Sequence, residues 1–396
     1  MTDEPTLSLG VFGRSAKENE LRLPIHPRHF DRIDADLRCQ IWLEHGYGDS
    51  YGVPDADLAD LVAGFRTQAE LIAETDVLLL PKPTLADVGR MRPGQTLWGW
   101  PHCVQDPELT QVAIDSRLTL IAWEAMNHWT PDGRFIVHVF QMNNEIAGYA
   151  SVMQAMTLRG FTGSYGRKRR AVLLGFGNAA RGSANALHGL GITDVVALTM
   201  RDVNAVAAPI PNVTLGGMER RDDDPSQTLT LKGSGPVPTA QFLAEFDIIV
   251  NCVLQDTDDP LMFLTEADLP QLRPGTLIVD VSCDEGMGFS FARPTTFEEP
   301  MFTVGTDTHY YAVDHSPSYL WDSATWENSE ALIPFIRPVL AGGSGWDENL
   351  TVRRAIEIRE GVIQNPKILT FQHRDATYPH PIEQRDEPGA GSSGIR

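Results

Sequence analysis

Two basic side chains in this sequence stand where proton chemistry is done. Lys82 follows the apolar run Asp76–Leu80 (DVLLL) and is flanked by Pro81 and Pro83; His102 follows Thr96–Trp100 (TLWGW) after Pro101. A lysine at the C-terminal edge of a parallel strand lies where α/β ligands bind, and partial burial lowers its pKa towards that of a proton carrier. Imidazole is the natural acid–base group near neutral pH. The competing readings are a snorkelling loop lysine and a core histidine bonded to backbone. Glu124, after Leu118–Trp123 (LTLIAW), either orients this pair or caps a helix. Asp284 ends a strand of a second sheet, so it should face a cleft and hold a substrate amine or a ribose. The alternative is a turn aspartate before Gly286. Arg22 can grip a carboxylate bidentately, although taken alone it reads as a surface arginine.

The elements that must position these groups alternate strand and helix, which implies parallel sheets with helices on their faces. Strands are expected at Leu7–Phe12, Cys39–Trp42 and the runs just named, with helices at Asp57–Arg66 and Pro107–Ser116. Arg170–Leu174 (RAVLL) then runs into Gly175-Phe176-Gly177-Asn178-Ala179-Ala180-Arg181-Gly182, followed by a helix over Ser183–Leu190 and a strand over Asp194–Thr199. Strand, glycine turn, helix and strand is the context a dinucleotide fingerprint requires. Gly175 tightens the turn, Gly177 lets the backbone approach a pyrophosphate, and Ala180 lets helix pack on strand. Asn178 and Arg181 open the helix whose free N–H groups meet the phosphates. No acid ends the second strand; Thr199 and Arg201 can bind a 2′-phosphate, so NADPH is expected, with NADH as the alternative because Asp202 is near. Phe246–Leu254 and Thr276–Val281 read as strands of the same sheet, with Val253 at a strand end among the cofactor contacts.

The expected fold class is α/β, with two Rossmann-like, doubly wound parallel sheets and a cleft between them. Residues 1–145 plus 310–396 form a discontinuous substrate domain and 146–309 the dinucleotide-binding domain, joined by a helix over Glu145–Arg159. Met218–Ala240 reads as an irregular surface insertion, and the Pro/Gly/Ser-rich stretch 375–396 as a frayed tail.

With 396 residues, 42% apolar and 21% charged, the chain has ample material for two cores. Its net charge of −21 argues against nucleic acid as a partner, so any anionic ligand must meet a local positive pocket. Cys39, Cys103, Cys252 and Cys283 form no CxxC pair and no zinc-like spacing, so no metal is expected. No run approaches the ~20 apolar residues that span a bilayer, and Met1–Gly10 does not read as a signal peptide. A soluble cytoplasmic protein is expected.

The motifs together resemble the alanine dehydrogenase superfamily, which includes transhydrogenase cofactor domains, saccharopine dehydrogenase and carboxyethyl-ornithine synthase. Lys17-Glu18-Asn19-Glu20-Leu21-Arg22-Leu23-Pro24-Ile25-His26-Pro27 looks like the family's KExxxxERRxxLTP stretch. Lys82 looks like its strand-end lysine, His102 its strand-end histidine and Glu124 the acidic partner. Glu145-Ile-Ala-Gly148 resembles the start of the connecting helix, and Asp284 in VDVSCDEG resembles the aspartate of VDIAxDQGG. Val313-Asp314-His315-Ser-Pro-Ser resembles the stretch that returns beside the nicotinamide. The GWPH, GNxARG and VDHSPS forms look most like carboxyethyl-ornithine synthase and saccharopine dehydrogenase. Pro83 departs from the family, which carries Glu there in alanine and saccharopine dehydrogenases. The resemblance implies reductive condensation of a 2-oxo acid with an amino-acid amine through an imine, or its reverse. It makes Lys82, His102, Asp284 and Glu124 catalytic, places Arg22 and Glu20 on substrate and His315 on cofactor, and implies a homo-oligomer. Its alternatives are an alanine dehydrogenase using ammonia and a non-catalytic NADPH-binding regulator.

Overall fold

The computed structural model describes residues 7–203 and 208–383. Its first sheet has eight strands. Six of them, in spatial order Gly64–Arg66, Ile41–Glu44, Leu9–Val11, Val77–Leu79, Thr96–Gly99 and Thr119–Ala122, are parallel. This is the 3-2-1-4-5-6 order of doubly wound folds, with the switch in winding direction between Leu9–Val11 and Val77–Leu79. The returning strands Ile356–Arg359 and Val362–Ile363 add to the far edge antiparallel. Lys82 leaves one of the two switch-point strands, and the loop carrying Lys17 leaves the other.

The second sheet has nine strands. A parallel core of Val213–Arg220, Asp194–Thr199, Arg170–Leu174, Ile248–Asn251, Leu277–Asp280 and Thr308–Tyr311 is flanked by antiparallel strands at both edges. Here the winding reverses between Arg170–Leu174 and Ile248–Asn251, so the glycine turn and Val253 open on one crevice. Each sheet has separate apolar clusters for its faces, with Trp98 and Ile121 in one and Leu97 and Leu120 in another. Alternate residues of buried parallel strands therefore serve opposite layers, which is why these strands read as unbroken apolar runs.

The helix Gln141–Leu158 joins the sheets and crosses the helix Asn178–Gly189. The approach is closer than a side chain permits. A Cβ on Gly148 would lie 1.9 Å from the Ala179 carbonyl oxygen, and one on Gly182 1.7 Å from that of Glu145. Both glycines are thus required by packing, and the crossing ties the connecting helix to the glycine turn.

Three expectations need correction. Asp57–Arg66 is not one helix. Short turns at Asp55–Leu58 and Ala59–Leu61 lead to the edge strand Gly64–Arg66, and the helix begins after it, at Gln68–Glu74, where Thr67 and Glu70 form a reciprocal capping box. Met218–Ala240 is not irregular: the strands Val213–Arg220, Thr228–Lys232 and Gly235–Pro238 form an antiparallel meander that extends the second sheet. Buried Thr228 and Thr230, both hydrogen-bonded to Thr239, let a polar sequence pack there. The stretch 375–383 is docked rather than frayed. Arg374, 5% exposed, reaches the His380 and Pro107 carbonyls, and His380 is buried. The remainder of that tail, 384–396, lies outside the described residues.

Candidate active site

A cavity of about 250 Å³ opens between the two sheets. Arg22, Lys82, His102 and Glu124 line it from the first sheet's side, Leu254 and Val281 from the second, and Asp314 and His315 from the returning segment. Four residues expected from the sequence to act together therefore meet in one place.

Lys82 and His102 are in direct contact, with Nζ and Nε2 2.8 Å apart. One proton lies between them; an ammonium can only donate, so where Lys82 is charged a neutral His102 accepts. Burial lowers the Lys82 pKa, and the negative charge of Asp314 acts against it. Burial, and then the Lys82 charge, hold His102 well below the ordinary imidazole range. The His102 side chain keeps 43% of its surface accessible, so its desolvation is that of a cleft wall, not of a core. Its backbone is left-handed at φ 49°, a conformation that costs energy for a residue with a side chain. Glu124 Oε1 accepts its backbone N–H at 2.7 Å and lies 3.8 Å from Nδ1, which holds this bend in place. Burial, then the charge of Glu357, push the Glu124 carboxyl up to about 8.

Arg22 is 4% exposed and backed by Glu20, which receives its Nε at 2.8 Å and a second guanidinium nitrogen. A third nitrogen donates to Asn143 Oδ1 at 3.1 Å, and the guanidinium carbon sits 5.0 Å from the Trp100 ring centre. Burial opposes it, but Arg22 holds the Glu20 carboxyl below its usual range. Ser318 also donates to Glu20. Glu20 does not line the cavity, so it reaches a substrate only through Arg22, whose fork it fixes.

Two groups that sequence reasoning left out of the site stand beside Lys82. Asp314 receives Lys17 Nζ at 3.0 Å and contacts His315 Nδ1. Burial opposes this too, but the His315 hydrogen bond and the Lys82 charge hold Asp314 well below the usual carboxylate range. Both lie inside the stretches that carried the family resemblance, which was the available signal. His315 also reaches the Glu18 carbonyl through Nε2, so it clamps the returning segment to the first loop. Asp284 is not among the residues lining the cavity. It lies in the second sheet's loop, where burial and Asp280 push it up to about 6. Asp280 itself is fully buried and pinned by Tyr310 Oη at 2.6 Å and Asn251 Nδ2 at 3.0 Å.

The other crevice suits a dinucleotide. Gly175 has φ +89°, and a Cβ there would meet the Cys252 carbonyl at 3.2 Å and Val253 Cγ2 at 3.4 Å. Gly177 faces open space, with nothing within 4 Å of where its Cβ would be. A side chain there would fill the room a pyrophosphate needs in front of the helix opening at Asn178. Ala180 is fully buried against the sheet. Arg201 bends back to the Phe176 carbonyl at 2.8 Å, and its own N–H meets Thr199 Oγ1 at 3.1 Å. Arg181 stacks over the Phe176 ring at 4.9 Å and donates to the Ala208 carbonyl. Two guanidinium groups thus flank the turn, Arg201 from the second strand's tip and Arg181 from the helix. Among the described residues, no helix is long and apolar enough to cross a membrane.

Two family models match the chain: "Alanine dehydrogenase/PNT, N-terminal domain" over residues 14–147 and "Alanine dehydrogenase/PNT, C-terminal domain" over 149–366. An alanine dehydrogenase of Mycobacterium tuberculosis (strain CDC 1551 / Oshkosh) is 24% identical over 368 residues, covering 89% of this chain and 94% of the relative. An N(5)-(carboxyethyl)ornithine synthase of Lactococcus lactis subsp. lactis is 23% identical over 330 residues, covering 79% and 90%. Among solved structures, an L-alanine dehydrogenase shares the fold with a TM-score of 0.70 at 18% identity, covering 92% of this chain and 99% of the other. A transhydrogenase from Sinorhizobium meliloti does so at 0.63 and 17%, covering 90% and 99%.

Proposed function

The chain belongs to the alanine dehydrogenase/PNT family, and from that premise we propose that it is an NADPH-dependent oxidoreductase that joins a 2-oxo acid to an amine through an imine, or runs the reverse. The observation that carries this reading is the Lys82–His102 pair, hydrogen-bonded at 2.8 Å on the wall of a cavity that also holds Arg22. Forming an imine requires a proton to leave the nitrogen and another to depart with the carbinolamine oxygen. Two nitrogens sharing one proton can receive the first and deliver the second. Arg22, its fork fixed by Glu20, grips the oxo-acid carboxylate and sets the carbonyl carbon beside Lys82. Asp314, held by contacts to Lys17 and His315, carries a charge that favours the Lys82 ammonium while Arg22 opposes it. When bound at the glycine turn, NADPH supplies the hydride that reduces the C=N carbon. Leu254, 93% exposed on the cleft's far wall, is placed to exclude water as the sheets close about the connecting helix.

The amine is an amino acid in this reading, and a second reading takes ammonia. A specific observation favours the second: Arg22 and Lys82 are the only lysine or arginine side chains among the described residues lining the cavity, so a second substrate carboxylate has no cation of its own. The test is NADPH oxidation with pyruvate plus ammonia set against pyruvate plus ornithine or lysine. Turnover with an amino acid and not with ammonia supports the first reading, and the converse supports the second. Cofactor binding with no turnover on any pair leaves a nucleotide-binding regulator.

A further inference from the structure

The cleft's far wall is reached from the first domain by a short helix that the proposed reaction does not use. Pro366–Gln372 follows the returning strands and is capped by Asn365, whose Oδ1 accepts the Lys367 N–H at 3.0 Å. Its C-terminal end is fastened to the turn that carries His102. There Gln372, 7% exposed, donates through Nε2 to the Cys103 carbonyl at 2.6 Å and the Val104 carbonyl at 3.2 Å. Its N-terminal end crosses to the other domain, where Lys367 Nζ meets Asp256 Oδ1 at 2.9 Å. Asp256 belongs to the loop that leaves the strand Ile248–Asn251, two residues beyond Leu254 on the cavity wall. That loop is anchored to its own domain at both ends. Ser282 Oγ donates to the Val253 carbonyl at 2.6 Å, and Arg220 donates to the Asp259 carbonyl at 3.1 Å. Gln255 turns inward, 8% exposed, and accepts the Leu261 N–H at 2.9 Å, so Leu254 and Asp256 stand outward on either side of it.

We propose that Lys367 is a positioning residue for the cleft: its ion pair with Asp256 straps the His102 turn to the opposite wall and holds Leu254 over the cavity. The proposal rests on the reading of that cavity as the place of hydride transfer, from which water must be kept. The strap has a fixed end and a releasable end. At the fixed end Gln372 and Arg374, 7% and 5% exposed, hydrogen-bond the Cys103 and Pro107 carbonyls, and parting them would leave buried polar groups without partners. At the releasable end the Lys367 and Asp256 side chains keep 47% and 54% of their surface, so water solvates each of them once they part. Opening therefore occurs between Lys367 and Asp256. The helix stays on the His102 turn, and the Leu254 loop moves with the second domain. A weak pair suits a contact that must break in each turnover for cofactor and product to pass. The same loop starts at Val253, which stands against Gly175, so releasing it also loosens the wall of the dinucleotide crevice.

Lys367→Met and Asp256→Asn should each speed NADPH dissociation roughly two- to fivefold, the scale of an exposed ion pair, and the double variant should add nothing further. Stopped-flow displacement of NADPH, followed by its fluorescence, reads this without turnover. Exchanging the charges, Lys367→Asp with Asp256→Lys, should bring the rate back towards the wild type. The gap between wild type and Lys367→Met should close as salt rises from about 0.1 to about 1 M, because the screening length falls from about 10 to about 3 Å. Without cofactor, amide hydrogen exchange over residues 253–261 should quicken in the single variants, while exchange over 102–105 stays put because Gln372 still holds that turn. Unchanged rates, additive effects, a gap that salt leaves open or a charge exchange without recovery make the pair an incidental surface contact and overturn the proposal. If no amine and oxo acid are turned over, the proposed reaction fails while the NADPH release rates still decide the inference. If NADPH does not bind, hydrogen exchange decides it: equal exchange over 253–261 in wild type and variants overturns the strap.

Discussion

Removing either member of the Lys82–His102 pair should cost turnover, and removing both should cost little more. The two nitrogens are 2.8 Å apart and share one proton, so neither works as an acid–base without the other. Loss of a general acid–base lowers turnover roughly 10²–10⁴-fold, which is about 2.7–5.5 kcal/mol of barrier. Independent residues would multiply, giving about 10⁴–10⁸ for the double variant, whereas a shared proton predicts about 10²–10⁴ for all three. Lys82→Met, His102→Asn and the double variant should each bind NADPH as the wild type does, because the glycine turn belongs to the other sheet. Single-turnover oxidation of NADPH measures the chemistry, and fluorescence titration measures the cofactor Kd. The same pair makes a stability prediction with the opposite sign. Burial depresses the Lys82 pKa, so between its folded and unfolded values the unfolded chain binds more protons and stability rises with pH. Below that window the folded state bears the full cost, so Lys82→Met should raise Tm there while removing turnover. Multiplicative kinetic effects, or near-normal turnover in His102→Asn across the pH range, would refute the shared-proton reasoning.

Arg22→Ala should raise the KM for the oxo acid and leave the cofactor Kd in place, read by varying the oxo acid at saturating NADPH. Arg201→Ala should weaken NADPH and spare NADH, since a charge-assisted contact to the 2′-phosphate is worth about 1.5–3 kcal/mol; parallel titration of both cofactors checks it. Gly182→Ala would set a methyl 1.7 Å from the Glu145 carbonyl oxygen. Overpacking of this kind costs about 1–3 kcal/mol or more, visible as a lower Tm. Glu124, raised from 4.5 to about 8, binds its proton in the folded state across that range. Stability should therefore fall as pH rises from 4.5 through about 8, and denaturant melts of Glu124→Gln should lose that slope.

Much of the cofactor side was legible in the chain alone. Gly175, Gly177 and Ala180 sit between two apolar strands, and local sterics suffice to say what such a turn does. Lys82 and His102 were legible for a similar reason, as polar residues released by proline from the ends of buried runs. Helix and strand at Asp57–Arg66 were confused because a short apolar stretch carries both periods, and an edge strand has neighbours on one side only. The stretch Met218–Ala240 looked irregular because Thr228 and Thr230 each bond Thr239 instead of forming an apolar stripe. Asp314 and Lys17 were visible as motif letters, yet their meeting across 297 positions was not.

What the sequence determined by itself is local: which segments bury both faces, where the backbone must take a glycine, and which side chains emerge at strand ends. Tertiary structure alone decided which of those side chains share protons. It set Lys82 on His102, put Glu20 behind Arg22 and away from the cavity, and kept Asp284 out of it. The physical reason is that charge and protonation depend on distance and on loss of water, and both are set by how two sheets and a returning segment pack.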